Sequence, residues 1–322
     1  MSVVISARND GRALRDAVAT VEAQQGVEIT DIAIAVGPSS DNTEVEAHRL
    51  AQANPAITVV SNPTGRTPAA LHAAINATTG DVVVRVDARS QLPSDCIRNA
   101  LETMSETGAG NVGAIQQPVG STSTERAIAA AMCSRLGSGG AQYRHGQESL
   151  EVETAYLGVF RRSALEEVGG CDESFIHNQD SELNIRLRKA GYQVWLDPRM
   201  RVAYRPRPSL RSLARQYWEY GWWRAITLRR HPGSMKLRQA AVPLAFVSLA
   251  GSTILGLVVQ PLFLAVPAVC AISLVSAAVL DQQDLTAQEK ATMVAALTTM
   301  HVMLGTGLIS SVAAHTARGW ER

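Results

Sequence analysis

Apolar runs of strand length alternate with amphipathic stretches along the first part of the chain. Residues 2–7, 32–36, 57–60 and 81–86 read as buried strands. Between them Leu14, Val18 and Val21 mark a helix capped by Asn9 or Asp10, residues 43–53 form a second helix and residues 68–77 a third. Strands that are apolar throughout and separated by helices predict an α/β fold with a mostly parallel, Rossmann-like sheet covered on both faces. Sheets of this kind bind ligands beyond the carboxyl ends of their strands. Those ends carry Ala7, Arg8 and Asn9, then Ser39 and Asp41, then the loop from Asn62 to Arg66, then Asp87 and Arg89. Farther along the pattern loosens. Strands are expected at 112–116, 152–160 and 193–196, helices at 124–136 and 161–168, and a flexible glycine-rich loop at 137–140.

The stretch His177-Asn178-Gln179-Asp180-Ser181-Glu182 follows a turn and precedes Leu183 and Leu187. The two leucines share one helical face, and Gly191 supplies a stop. Asp180 therefore falls in the first turn of a helix, where free N–H groups and the macrodipole favour an ionised carboxylate. Read alone, these residues suit a capped helix with a solvated acid better than they suit a general base.

Charge changes the picture toward the C-terminus. Arg201, Arg205, Arg207, Arg211, Arg215, Arg224, Arg229, Arg230, Lys236 and Arg238 interleave with Tyr217, Trp218, Tyr220, Trp222 and Trp223. A cationic, aromatic helix just before an apolar run is expected to lie on a membrane surface. Residues 240–280 and 291–314 then contain no Asp, Glu, Lys or Arg. Transmembrane helices are expected at about 241–259, 262–280 and 291–313. The basic run predicts a multi-pass protein of the cell (plasma) membrane with residues 1–205 as a cytoplasmic domain and 206–239 as interface helices. Three spans would place Arg318 and Arg322 on the far side, against the same rule. A net charge of +1 argues against a nucleic-acid surface. The four cysteines lack metal-ligand spacing and fit a reducing compartment, and with a strand opening the sequence no signal peptide is expected.

The strand ends in order, with Arg85-Val86-Asp87-Ala88, Tyr156-Leu157-Gly158-Val159-Phe160, Gly169-Gly170-Cys171-Asp172-Glu173, residues 179–187 and Tyr204-Arg205-Pro206-Arg207, resemble family 2 glycosyltransferases of GT-A fold. The finer pattern is similar to the succinoglycan-biosynthesis glucosyltransferase subfamily. The resemblance spans residues 1–230 and the trailing apolar segments. It implies inverting transfer of one sugar from a nucleotide-sugar, a UDP-sugar above all, to a polyprenyl-diphosphate-linked acceptor. It also implies roles. Asp180 would be the base and Glu182 its supporting carboxylate. Ala7, Arg8, Asn9, Ser39, Asp41, Arg66, Asp87 and Arg89 would hold the donor. Asp87 would bind a divalent cation, Mg2+ or Mn2+. Gln179, Arg215 and Gln216 would meet the acceptor or its diphosphate.

The chain departs from the family's pattern at informative places. Arg89 stands where the second acid of the Asp-x-Asp metal motif is expected, and Arg89 can itself neutralise a diphosphate. Val36-Gly37 replaces an acidic pair. Glu219 occupies the arginine place of a Gln-x-x-Arg-Trp motif that processive synthases use, which favours adding a single sugar. The loss of the second metal-motif acid and of the acidic pair also leaves open a membrane-anchored scaffold that binds nucleotide or glycan without turnover.

Overall fold

The computed structural model describes residues 1–139, 141–234, 237–281 and 283–317. Gly140, Lys236, Arg318 and Arg322, used in the expectations above, lie outside the described residues. Two compact units are present, Met1–Gln117 with Gln142–Tyr204, and Pro118–Ala141 with Arg205–Arg322.

The first unit opens with β1 (Ser2–Ala7), α1 (Gly11–Glu22), β2 (Asp31–Val36), α2 (Thr43–Ala53), β3 (Ile57–Ser61), α3 (Thr67–Asn76) and β4 (Val82–Asp87). The short β5 (Ser90–Gln91), α4 (Cys96–Thr107) and β6 (Asn111–Pro118) complete its first segment. The nine-stranded sheet has the order β3-β2-β1-β4, followed by three strands from later in the chain and then β5. The four leading strands are parallel, with Ala7 beside Val36, Val36 beside Ser61, and Ser6 beside Asp87. Their carboxyl ends therefore share one edge, as the alternation of apolar runs and helices predicted. Val3, Ile5, Leu14, Val18, Ile32, Ile34, Val84 and Val86 form the core on one face.

The second segment of this unit holds α7 (Gln142–His145), β7 (Leu150–Glu151), β8 (Tyr156–Arg161), α8 (Arg162–Glu167), α9 (Gln179–Lys189) and β9 (Val194–Tyr204). β8 lies antiparallel between β4 and β6. The single strand expected at 152–160 is divided between β7 and β8, because Val152 donates to the Val194 carbonyl while Leu157 takes a left-handed φ of 52° where the β6–β8 register shifts. β9 does not stop at Leu196. It continues beyond Pro198 and pairs Tyr204 with Ser90.

The second unit contains α5 (Ser123–Cys133), α6 (Arg135–Ser138), α10 (Leu210–Arg230), α11 (Leu237–Val258), a 3-10 turn (Pro261–Leu264), α12 (Ala265–Val279) and α13 (Ala287–Ala317). The expected division at residue 205 differs from this arrangement, since Pro118–Ala141 groups with the C-terminal segment. The reason is local chemistry. The alanine-rich α5 packs on α13, Arg126 pairs with Glu289 at 3.1 Å, and Arg205 pairs with Glu125 at 3.0 Å. Part of the expected 137–140 loop is helical because the Ser134 hydroxyl caps α6 by accepting from the Gly137 N–H. α10 and α13 cross at bare backbone. A Cβ on Gly221 would meet the Leu304 carbonyl oxygen at 2.1 Å, and one on Gly307 the Trp218 oxygen at 2.1 Å.

Two helices, Pro261–Val279 and Ala287–Thr316, are long and apolar enough to cross a membrane by length and composition. α12 exposes Val266, Val269, Ile272, Val275 and Val279. The span expected at 241–259 is matched among the described residues only by the shorter apolar helix Val247–Val258.

Candidate active site

The strand-end loops hold one another in place. Asn9, at a left-handed φ of 56°, donates its N–H to Ser39 Oγ at 3.1 Å, and its Oδ1 accepts from the Ser40 N–H at 2.8 Å. Asp41 accepts from the N–H groups of Gly11 and Thr43 at 3.2 and 3.1 Å and from the Thr43 hydroxyl at 2.5 Å. The Thr43 hydroxyl is the main cause of an Asp41 pKa below the usual carboxylate range. Ser39 and Asp41 thus shape the rim. Arg8 reaches across to donate to the Gly65 carbonyl at 3.2 Å. The loops after β2 and β3 approach so closely that a Cβ on Gly37 would lie 3.1 Å from the Gly65 Cα. Ala7 is buried beneath them, whereas Arg8 and Arg66 are exposed at the rim.

Alternation along β4 sends Val84 and Val86 into one core and Val83, Arg85 and Asp87 to the opposite face. There Val83 joins the cluster that buries Leu183 and Leu187 of α9. Asn178, left-handed at φ 60°, turns the chain into α9. Gln179 and Asp180 then occupy its first turn. Asp180, Leu183, Asn184 and Leu187 follow helical spacing, and Asn184 is tied to the sheet by a buried 2.8 Å bond from Asn111 Nδ2. The face that anchors α9 therefore carries Asp180 over the end of β4. Arg85 meets it there: Nη1 donates to Asp180 Oδ1, while Nε and Nη2 donate to Asp87 Oδ1 at 3.2 and 3.0 Å.

Glu182 is placed differently. It is buried and receives two bonds of 2.7 Å from Arg186, whose Nη1 also donates to the Val168 carbonyl at 2.5 Å. Its carboxylate braces α9 against the end of α8. Arg215 and Gln216 lie on α10 in the second unit. Arg215 pairs with Glu219 at 3.0 Å, and Gln216 is buried and donates to Tyr220 at 2.9 Å. Two residues that sequence reasoning did not single out by role join the Asp87 neighbourhood. One is Arg85. The other is Tyr156, whose hydroxyl bonds Ser90 at 2.8 Å. Burial, with the charge of Asp87 behind it, pushes the Tyr156 phenol up. Both lie in motifs that were recognised, but their spatial partners are distant in the chain.

The donor set for a divalent cation is poor. Asp87 spends Oδ1 on Arg85, and the second motif position is Arg89, whose Nε donates to Asp10 at 2.5 Å. No group of three or more His, Cys, Asp or Glu side chains suited to a metal occurs among the described residues. The residues present do not by themselves fit the expected Mg2+ or Mn2+.

A sheet whose four leading strands run parallel, with their polar ends on one edge and a helix-borne carboxylate above them, is a GT-A-like arrangement. The glycosyl transferase family 2 signature matches residues 2–169, and the chain belongs to that family. Succinoglycan biosynthesis protein ExoA of Rhizobium meliloti (strain 1021) is 36% identical over 229 residues, covering 70% of this chain and 69% of that protein. A dolichyl N-acetyl-alpha-D-glucosaminyl phosphate 3-beta-D-2,3-diacetamido-2,3-dideoxy-beta-D-glucuronosyltransferase of Methanococcus voltae is 24% identical over 180 residues, 54% of this chain and 56% of that one. Among solved structures, the mannosyltransferase PcManGT of Pyrobaculum calidifontis, in complex with GDP-Man and Mn2+, shares the fold with a TM-score of 0.61 at 18% identity, over 97% of this chain and 86% of that one. S. aureus TarS 1-349 in complex with UDP aligns with a TM-score of 0.50 at 12% identity, over 97% and 91% of the two chains.

Proposed function

We propose that this family 2 glycosyltransferase is membrane-attached and transfers one sugar, with inversion, from a UDP-sugar to a polyprenyl-diphosphate-linked saccharide during polysaccharide assembly. The observation that carries the reading is the meeting of Asp180, the first-turn acid of α9, with the Asp87 end of β4 through one guanidinium. In the proposed step the acceptor hydroxyl oxygen attacks the anomeric carbon as the bond from that carbon to the diphosphate oxygen breaks. Asp180 takes the hydroxyl proton. The departing nucleoside diphosphate keeps the bonding electrons, and the rim arginines Arg8, Arg66 and Arg89 counter its charge. The two apolar helices and the basic, aromatic α10 support attachment to the plasma membrane with the catalytic unit on the cytoplasmic side.

The test uses the full chain in detergent with UDP-sugars, GDP-mannose and a synthetic polyprenyl-diphosphate monosaccharide, with nucleoside diphosphate release as the readout. Asp180→Asn is expected to lose at least about a hundredfold in turnover, as removal of a general base does. Undiminished turnover in that variant would sink Asp180 as the base. Long products from a single donor would instead indicate a polymerising synthase.

A further inference from the structure

Arg85 is an unusual residue for its place. It sits on β4 between Val84 and Val86, which are 1% and 0% exposed, and its own side chain is 9% exposed. A buried guanidinium carries a desolvation cost that only close partners offset. It bonds two carboxylates that lie on different elements, 2 and 95 residues away in the chain. Those carboxylates stay open, Asp87 at 34% and Asp180 at 35% side-chain exposure. The arrangement is thus a buried cation on a sheet strand, bonded to two accessible acids. The residue beside Arg85 on β8 is Gly158, where a Cβ would lie 2.2 Å from the Phe160 ring. Neighbouring strands present paired residues on one face, so glycine keeps that face clear.

We propose that Arg85 is a positioning residue that acts through Asp180 and ties it to the donor-side acid Asp87. The inference rests on Asp180 being the base. A first-turn aspartate has two free side-chain torsions. Gripping Oδ1 from a fixed strand removes that freedom and leaves the other oxygen to receive the acceptor proton. The same guanidinium holds Asp87 Oδ1, so base and donor site keep one geometry. Small displacements of a reacting group are costly, which gives the link its value. Arg85 has no role here in touching the substrate.

The test is a double-variant cycle on the full chain in detergent. It uses whichever of UDP-glucose, UDP-N-acetylglucosamine or GDP-mannose the unsubstituted protein turns over, with the synthetic acceptor. Arg85→Gln is expected to lower kcat by about thirtyfold or more, as misplacement of a catalytic group does, while UDP binding persists. Arg85→Lys, which cannot bridge both acids, recovers part of the loss. The variant carrying both Arg85→Gln and Asp180→Asn is expected to match Asp180→Asn within about threefold, because residues acting as a unit are non-additive. Losses that multiply would overturn the proposal, as would loss of UDP binding in both Arg85 variants, which marks a structural pillar. Full turnover in Asp180→Asn alone would instead remove the base assignment itself, so the two failures are separable.

Discussion

Replacing Glu182 by glutamine separates bracing from chemistry in the pair of acids on α9. The Glu182 side chain is 2% exposed and accepts two 2.7 Å bonds from Arg186, which is 21% exposed. Glutamine preserves the shape and one acceptor, but it turns an N–H group toward a guanidinium that can only donate. Breaking a fully buried pair costs about 3–5 kcal/mol, and a single hydrogen bond to a charged group is worth about 1.5–3 kcal/mol. Arg186 retains its bond to the Val168 carbonyl and has some access to water, so the lower part of this span applies, about 2–3 kcal/mol. At about 2–4 °C per kcal/mol for a domain of this size, Glu182→Gln should melt roughly 5–10 °C lower. Below that melting point its turnover should stay within about threefold of the parent, since a bracing residue is absent from the transition state. Asp180→Asn should show the reverse, with near-parental melting and lost turnover, because Asp180 is partly exposed and Arg85 keeps Asp87. Thermal melting followed in detergent beside nucleotide release reads both. A Glu182→Gln protein that melts normally and has lost turnover would refute the division of roles.

Three further outcomes are expected. Glu46 has a pKa lowered to about 2, first by hydrogen bonding from Arg15 and then from Arg49. A depressed folded-state pKa contributes stability above the unfolded value and loses it as pH falls through the folded one. The melting difference between parent and Glu46→Gln should therefore shrink from pH 5 to about pH 2, and a constant difference would contradict it. Gly307→Val drives a side chain into the Trp218 carbonyl, whereas the Cβ of Gly251→Ala meets nothing within 4 Å. The first should lower thermal stability in detergent by more than about 2 kcal/mol, as overpacking does, and the second should change it little. Because Arg89 occupies the place of a metal-motif acid, parental turnover should fall less than about threefold in EDTA. Arg89→Asp removes a cation whose charge repels a divalent ion, and its residual turnover should become metal-dependent. EDTA abolishing the parent's turnover would defeat that expectation.

The parts of this site that were legible in the sequence are those set by local pattern. Apolar runs of strand length identify β1 to β4, and the helices between them require parallel pairing, which brings Arg8, Ser39, Arg66 and Asp87 to one edge. Leu183 and Leu187 fixed the buried face of α9, and with it the direction of Asp180. One local signal carries the position of Glu182: Glu182 and Arg186 are four residues apart on a helix, the spacing of an ion pair, and they form one. The grouping of Pro118–Ala141 with the C-terminal segment was not legible, because the alanines of α5 say that a close partner exists without saying which.

Arg85 shows where local reading stops. An arginine flanked by valines in a central strand requires an anionic partner, and the sequence alone supports that demand, since an unpaired buried charge is not tolerated. The partner two residues away, Asp87, was in view. The partner 95 residues away became visible only when α9 was laid on the face that Val83, Arg85 and Asp87 share. An isolated charge in an otherwise apolar strand is therefore a pointer to a carboxylate on the element packed against that face. In this chain the buried arginine meets Asp180, whereas Glu182 has its cation on its own helix.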